Sequence, residues 1–198
     1  KSMSKLDELI AELCPDGVEY KGLGEVCLNT ANINWTANNN LTFSYIDLTS
    51  VDRETHSIGN TAAINSENAP SRAQKLVKAD DVIFGTTRPT LKRYCSIPMD
   101  YDGQICSTGY CVLRADKTKV LPRYIYHLIG TTEFNSHVEL NQRGSAYPAI
   151  SDGDVKAYPI PLPPLPVQQE IVRILDTFTA LEAELEAELE AELEARKK

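Results

Sequence analysis

Long apolar runs are missing from this chain. No uninterrupted apolar stretch of about 18 residues occurs, so a membrane-spanning helix is excluded. The segment Lys1–Leu13 lacks the apolar core of an export signal, and a cytoplasmic location with no membrane partner is expected. Five cysteines (Cys14, Cys27, Cys95, Cys106, Cys111) form no CxxC pair, and three scattered histidines add no metal-ligand spacing. Reduced thiols and no metal are expected. Catalytic signatures are missing too: there is no phosphate loop, no G-x-G-x-x-G, no G-x-S-x-G and no H-E-x-x-H. A DNA amino-methyltransferase needs a Gly-rich cofactor turn and a Pro-Pro-aromatic motif after Asn or Asp. The one Pro-Pro pair, in Leu162-Pro-Pro-Leu165, has neither neighbour. Asp80-Asp81 with Lys78 comes nearest to a metal-nuclease cluster, but it reads as a turn entering the apolar run Val82–Phe84. No catalysis is expected of this chain.

What is present is an ordinary globular composition, 42% hydrophobic and 24% charged over 198 residues. The net charge of −8 is unevenly placed. Residues 176–198 hold eight acids against three bases, and the rest of the chain is close to neutral. Within that body, residues 71–93 carry six bases against two acids, and residues 114–123 carry four bases against one acid. Such segments can hold a polyanion if folding gathers them on one surface.

Periodicity supplies the elements. Leu6, Leu9, Ile10 and Leu13 predict a short amphipathic helix, which Pro15-Asp16-Gly17 ends. Residues 18–28 read as extended, and the Asn/Thr-rich stretch 29–42 reads as a loop anchored by Trp35. Strands are predicted at Phe43–Leu48, Val82–Phe84, Tyr94–Ile97 and Tyr110–Leu113. Helices follow at Leu121–Ile129 and Glu133–Leu140, and Ser151 can cap a further turn. Tyr158–Pro166 reads as an extended proline strap. Strands and helices mix without a βαβ rhythm. The expected fold is therefore α+β: a mixed globular domain with a twisted β-sheet over residues 1–165, then one long α-helix over 166–198.

That last helix carries no Gly or Pro after Pro166. Ile171, Ile174, Leu175, Phe178 and Leu181 form its first apolar stripe, and Leu185, Leu189 and Leu193 continue it in Leu-Glu-Ala-Glu repeats. Each repeat turns the stripe by about 40°, and the small alanines are expected to fill in beside the leucines. Full length is about 50 Å, longer than a domain of this size can pack. A coiled-coil strut with a second chain is expected, giving a homodimer.

Several segments together resemble one family. They are Leu13-Cys-Pro-Asp-Gly-Val-Glu-Tyr20, Leu23-Gly-Glu-Val26, Tyr45-Ile-Asp-Leu48, Ala79-Asp-Asp-Val-Ile-Phe-Gly-Thr-Thr-Arg-Pro89, Ser107-Thr-Gly-Tyr-Cys-Val-Leu113, Gln142-Arg-Gly-Ser-Ala-Tyr-Pro-Ala-Ile-Ser151 and Ile160-Pro-Leu-Pro-Pro-Leu-Pro-Val-Gln-Gln-Glu-Ile-Val172. In this order they resemble the DNA-specificity subunit of type I restriction-modification systems, and the Leu-Glu-Ala-Glu units resemble its spacer repeats. The resemblance implies a non-catalytic reader of double-stranded DNA. Each target-recognition domain of such a subunit reads one half of a split target. Methylase subunits use S-adenosylmethionine, and restriction subunits use ATP and Mg. A typical subunit has two recognition domains and two antiparallel helices. This chain has half of that, as a fragment or as a half-size subunit that pairs with itself. A coiled-coil scaffold with a protein-binding head is the rival from another class.

A DNA reader needs cations for phosphates and planar donors for base edges. The loop after Gly85 offers Thr86, Thr87, Arg88, Lys92 and Arg93, with Arg88 able to fork onto guanine and Gly85 freeing the backbone. Gln142, Arg143, Ser145 and Tyr147 form a second candidate segment, in which Tyr147 is either core or site. Asn34 and Trp35 lie in a third. Ser71, Arg72 and Lys75 fit phosphate contacts.

Overall fold

The computed structural model describes residues 3–196. In chain order it contains α1 (Lys5–Leu13), β1 (Tyr20–Gly22), a 3-10 turn (Leu23–Val26), β2 (Cys27–Leu28), β3 (Phe43–Ile46), β4 (Ala62–Ile64), β5 (Ala73–Leu76) and β6 (Val82–Gly85). A 3-10 turn at Pro89–Leu91 leads to β7 (Tyr94–Ser96), and one at Met99–Tyr101 leads to β8 (Ile105–Ser107) and β9 (Tyr110–Ala115). Then come α2 (Pro122–Ile129), α3 (Thr132–Asn141), α4 (Asp152–Lys156), β10 (Pro159–Pro161) and α5 (Leu165–Arg196). The architecture is α+β, as expected.

The strands form three groups. The order β2-β9-β6-β7 makes one four-stranded sheet, β4-β3-β8-β5 makes another, and β1 pairs with β10. The first sheet is antiparallel throughout, and β3 and β8 run parallel in the second. The reason for the apolar run Val82-Ile-Phe84 is now plain. Val82 and Phe84 face a core shared with Tyr124, Ile125 and Phe134 of α2 and α3. Ile83 faces the opposite core with Ile46, Cys106 and Tyr110. The central sheet is buried on both faces, so its strands need no polar alternation. Residues 18–28 are not one extended run: the 3-10 turn buries Leu23 and Val26 between two very short strands.

The caps follow from side-chain chemistry. Ser4 and Asp7 form a capping box on α1, Thr131 caps α3 and Ser151 caps α4, each hydroxyl accepting an otherwise unpaired amide. The proline strap is half of a strand pair, with Ile160 opposite Lys21.

The root of α5 is fastened on several sides. Gln168 is fully buried. Its amide donates to the carbonyls of Lys119 and Pro163 at 2.9 and 2.8 Å, and its Oε1 accepts the Leu121 amide at 3.0 Å. Every polar atom of that side chain has a partner, which is what a buried amide requires. Glu170, 3% exposed, accepts Lys5 Nζ at 3.0 Å and Arg173 Nη2 at 2.6 Å. Hydrogen bonds from Arg173 first and Lys5 second hold its carboxyl down to about 2. Asp176 accepts Arg123 Nε at 2.8 Å and meets His127 Nε2 at 2.7 Å. The Val167-Gln-Gln-Glu-Ile-Val172 motif is thus a docking device. Beyond Asp176 the helix leaves the head, and Phe178, Leu181, Leu185, Leu189 and Leu193 are 50–61% exposed. Ile171 and Ile174 are half-buried and Leu175 is 38% exposed. The alanines correct one expectation. Two residues turn a helix by about 200°, so Ala183 and Ala187 stand opposite the leucines rather than beside them.

Candidate nucleic-acid interface

The β6–β7 hairpin carries the best-formed candidate site. β6 ends at Gly85, whose missing Cβ lets the carbonyl of Arg93 approach; a Cβ there would lie 3.2 Å from that oxygen. Close approach, not a special φ, is the reason for glycine at this position. The unusual dihedrals lie one step further on. Arg88 (φ 48°) and Lys92 (φ 52°) are both left-handed and flank the turn Pro89–Leu91. For residues other than glycine this costs on the order of 1–3 kcal/mol each, and it persists only where the surroundings impose it.

The surroundings here are the second candidate segment. Arg143 and Ala149 exchange two backbone hydrogen bonds at 2.8 Å, closing residues 143–149 into a small loop. Gly144 turns at its start with φ 96°. The Arg88 amide donates to Pro148 at 2.7 Å, and the Ile150 amide donates to Thr86 at 2.9 Å. The two loops are therefore strapped together by the backbone. Tyr147 is 71% exposed, which settles it as surface and not core. The Arg88 guanidinium carbon sits 4.8 Å from the centroid of its ring. A ring face at that distance attracts the cation and restrains its fork. Arg88, Lys92 and Arg143 are exposed and Arg93 is half-exposed.

The site extends through Gly109. Its carbonyl accepts both the amide and the hydroxyl of Thr86, at 2.7 and 2.9 Å, and the neighbouring Thr108 amide donates to Arg72 at 2.8 Å. Arg72 is thereby held at the same end of the sheets, beside exposed Ser71. Among the described residues Arg72, Arg88, Lys92, Arg93 and Arg143 make no ion pair.

Several expected contacts are corrected. Thr86 is buried and its hydroxyl is committed to Gly109, so it offers nothing to a ligand. Thr87 is half-buried and bridges to Ala149. Lys75 turns inward, donating to the Tyr110 carbonyl at 2.6 Å and to Asp152 at 2.7 Å. Gln142 terminates α3 and its Oε1 is buried without a partner among the described residues, while Ser145 is exposed. Asn34 accepts the Ala37 amide at 3.1 Å within its own turn. Trp35 packs edge-on against Phe43 at 5.8 Å and lines a hollow with Ser71 and Gln74. The basic segment 114–123 is neutralised: Arg114 pairs with Asp81, Lys117 with Asp80, Lys119 with Asp116 and Arg123 with Asp176. All five cysteines are free. Burial pushes Cys95 and Cys111 up to about 12, far from nucleophilic use. Among the described residues no group of His, Cys, Asp and Glu could hold a metal ion.

The described residues thus form an α+β head that carries exposed cations without ion pairs, followed by a helix with an exposed apolar stripe. The chain belongs to the type I restriction modification DNA specificity domain family, whose pattern matches residues 15–195. It is similar to the type I restriction enzyme HindI specificity subunit of Haemophilus influenzae, with 26% identity over 61% of this chain and 26% of that protein. The HsdS subunit from Thermoanaerobacter tengcongensis aligns with a TM-score of 0.78 and 40% identity, covering 86% of this chain and 44% of that one. A solved type I restriction-modification system, described for its complex assembly and conformational transition, contains a chain that aligns with a TM-score of 0.80 and 39% identity, covering 92% of this chain and 46% of that one. This chain thus spans less than half of each of those chains. The family role is specificity, not catalysis.

Proposed function

We propose that this chain reads one half-site of a bipartite DNA target and docks the methylase subunits of a type I complex, which in turn recruit restriction subunits. In this reading S-adenosylmethionine belongs to the methylase partner, and ATP with Mg to the restriction partner. Two copies pair through α5, so that two heads sit on one duplex at a set separation. The observation that carries the reading is the exposed Arg88 fork lying on Tyr147 among cations without ion pairs, while every base of residues 114–123 is neutralised. Arg in this setting can make the bidentate contact to guanine that reads sequence.

The test uses α5. One Leu-Glu-Ala-Glu unit adds about 6 Å of helix, close to two base pairs at roughly 3.4 Å each. In complexes reconstituted with the methylase of the same system, adding or removing one unit should change the gap between half-sites by about two base pairs. The half-site bases should stay the same. Methylation-site sequencing reads both, and an altered half-site with a constant gap overturns the proposal. Arg88→Ala is expected to weaken specific binding by about 1–3 kcal/mol at fixed salt. Its melting temperature should be unchanged, because the side chain is exposed.

A further inference from the structure

We infer that the loop between β3 and β4, through Arg53, is an additional phosphate-holding segment of the DNA-reading surface. The inference rests on the DNA-reading proposal above. Nothing in the sequence pattern pointed to this loop, because its chemistry appears only when its neighbours are known.

Three contacts fix the loop against the candidate site. The Leu48 side chain lies where Gly85 and Gly109 lack a Cβ; a Cβ on Gly109 would sit 2.9 Å from Leu48 Cδ1, and one on Gly85 would sit 3.7 Å from Cδ2. These are the glycines that end β6 and precede β9. The Tyr110 hydroxyl donates to the Asp47 carbonyl at 2.9 Å. His56 stacks face to face on Tyr94, with ring centroids 3.8 Å apart and planes 25° apart. Tyr94 follows Arg93 directly. His56 is left-handed at φ 51°, a conformation that the stack and the Val51–Ile58 bridge hold in place.

The loop's acids are largely engaged by its own backbone. Asp47 accepts the amides of Thr49 and Ser50 at 2.6 and 3.0 Å. Asp52 accepts the amides of Glu54 and Thr55 at 2.8 Å each, together with the Thr55 hydroxyl at 3.1 Å. Burial pushes the His56 imidazole below its ordinary value, so it adds no cation near neutral pH. Arg53 is left exposed, between two ordered turns, with no ion pair among the described residues. Glu54 beside it is also exposed, and Asp52, which its backbone hydrogen bonds hold in the ionised form, stays negative, so both acids temper the patch. A cation on an ordered loop that packs, through His56, on the residue following Arg93 suits a phosphate rather than a base edge. It brings charge at a fixed place, without the aromatic restraint that orients the Arg88 fork.

The experiment measures binding of the chain, assembled with its methylase, to a mixed-sequence duplex of about 40 base pairs across a salt series. Each phosphate contact contributes about 0.9 to the slope of log affinity against log salt. Arg53→Ala should reduce that slope by about 0.9. Between 50 and 200 mM salt, wild-type affinity should therefore fall about 3.5-fold more than that of the variant. Arg53→Lys should restore the slope, because a phosphate needs charge and not a fork. Arg53→Ala should weaken cognate and mixed-sequence DNA by the same factor. An unchanged slope in Arg53→Ala, or a loss confined to the cognate sequence, overturns the inference. Failure of the wild-type assembly to bind DNA at all would instead overturn the proposed function.

Discussion

Asp81→Ala is expected to lower folding stability by about 3–5 kcal/mol, the cost of leaving one member of a buried ion pair alone. Asp81 is 2% exposed. It accepts Arg114 Nε at 2.9 Å and Nη2 at 2.7 Å, and the Lys78 amide at 2.8 Å. The hydrogen bond to Asp81 comes first among the causes that raise the Arg114 guanidinium further above its usual value. Removing the carboxylate leaves that guanidinium half-buried with one long contact, to the Leu76 carbonyl at 3.4 Å. For a chain of this size the melting temperature should fall by about 6–20 °C. Asp81→Asn keeps an acceptor and should fall less. Lys117→Ala removes an ion pair in which both partners are more than 60% exposed, and it should be close to neutral. Thermal melts of the three variants check the order; an Asp81→Ala melt within about 2 °C of wild type would refute it. Asp81 immediately precedes β6, which leads to Arg88, so DNA binding should be lost together with stability. Arg88→Ala should separate the two.

The second large effect lies on α5. Double replacement of Leu185 and Leu189 by Glu should convert the proposed dimer to monomers. Each leucine is about half exposed in the single chain. Pairing in the proposed dimer would cover the remaining half, worth roughly 0.7–1.5 kcal/mol per side chain on an area basis. Four such side chains, two from each copy, give about 3–6 kcal/mol, a factor of about 10²–10⁴ in the dissociation constant. Four added carboxylates in an already acidic helix act in the same direction. Sedimentation equilibrium should show wild type at twice the mass of one chain and the variant at one. A monomeric wild type at tens of micromolar would remove self-pairing from the account. The head should keep its melting behaviour, because these leucines lie beyond the last head contact at Asp176.

The elements that were legible in the sequence are those whose own residues decide them. Val82–Phe84 and Tyr110–Leu113 are apolar on both faces and show as strands because both faces are buried. α2 and α5 show their periodicity. β4, β5 and β8 did not show, because three or four residues such as Ala73-Gln-Lys-Leu76 become a strand only through neighbours brought from elsewhere. The site divides the same way. The exposure of Arg88 follows from its place in a basic, proline-stiffened loop, whereas its contact with Tyr147 does not show in the sequence. Lys75 and Thr86 were misassigned, because the groups that engage them, Asp152 and Gly109, lie 77 and 23 residues away. The neutralisation of residues 114–123 was hidden for the same reason: three of its four acids sit outside the segment. Local charge counts show which cations exist. Only the fold shows which are free.

The fastening of Gln168, Glu170 and Asp176 has a torsional consequence. A root gripped on several sides cannot swivel, so α5 transmits angle as well as length. Each inserted tetrapeptide advances the far end by about 6 Å and rotates it by about 40°, whereas two base pairs of duplex rotate by about 70° at 10–10.5 base pairs per turn. The two screws are out of phase by about 30° per unit. That misalignment must be absorbed by twisting the duplex or the helix pair, so lengthening the helix without limit would carry one head off the groove it has to meet.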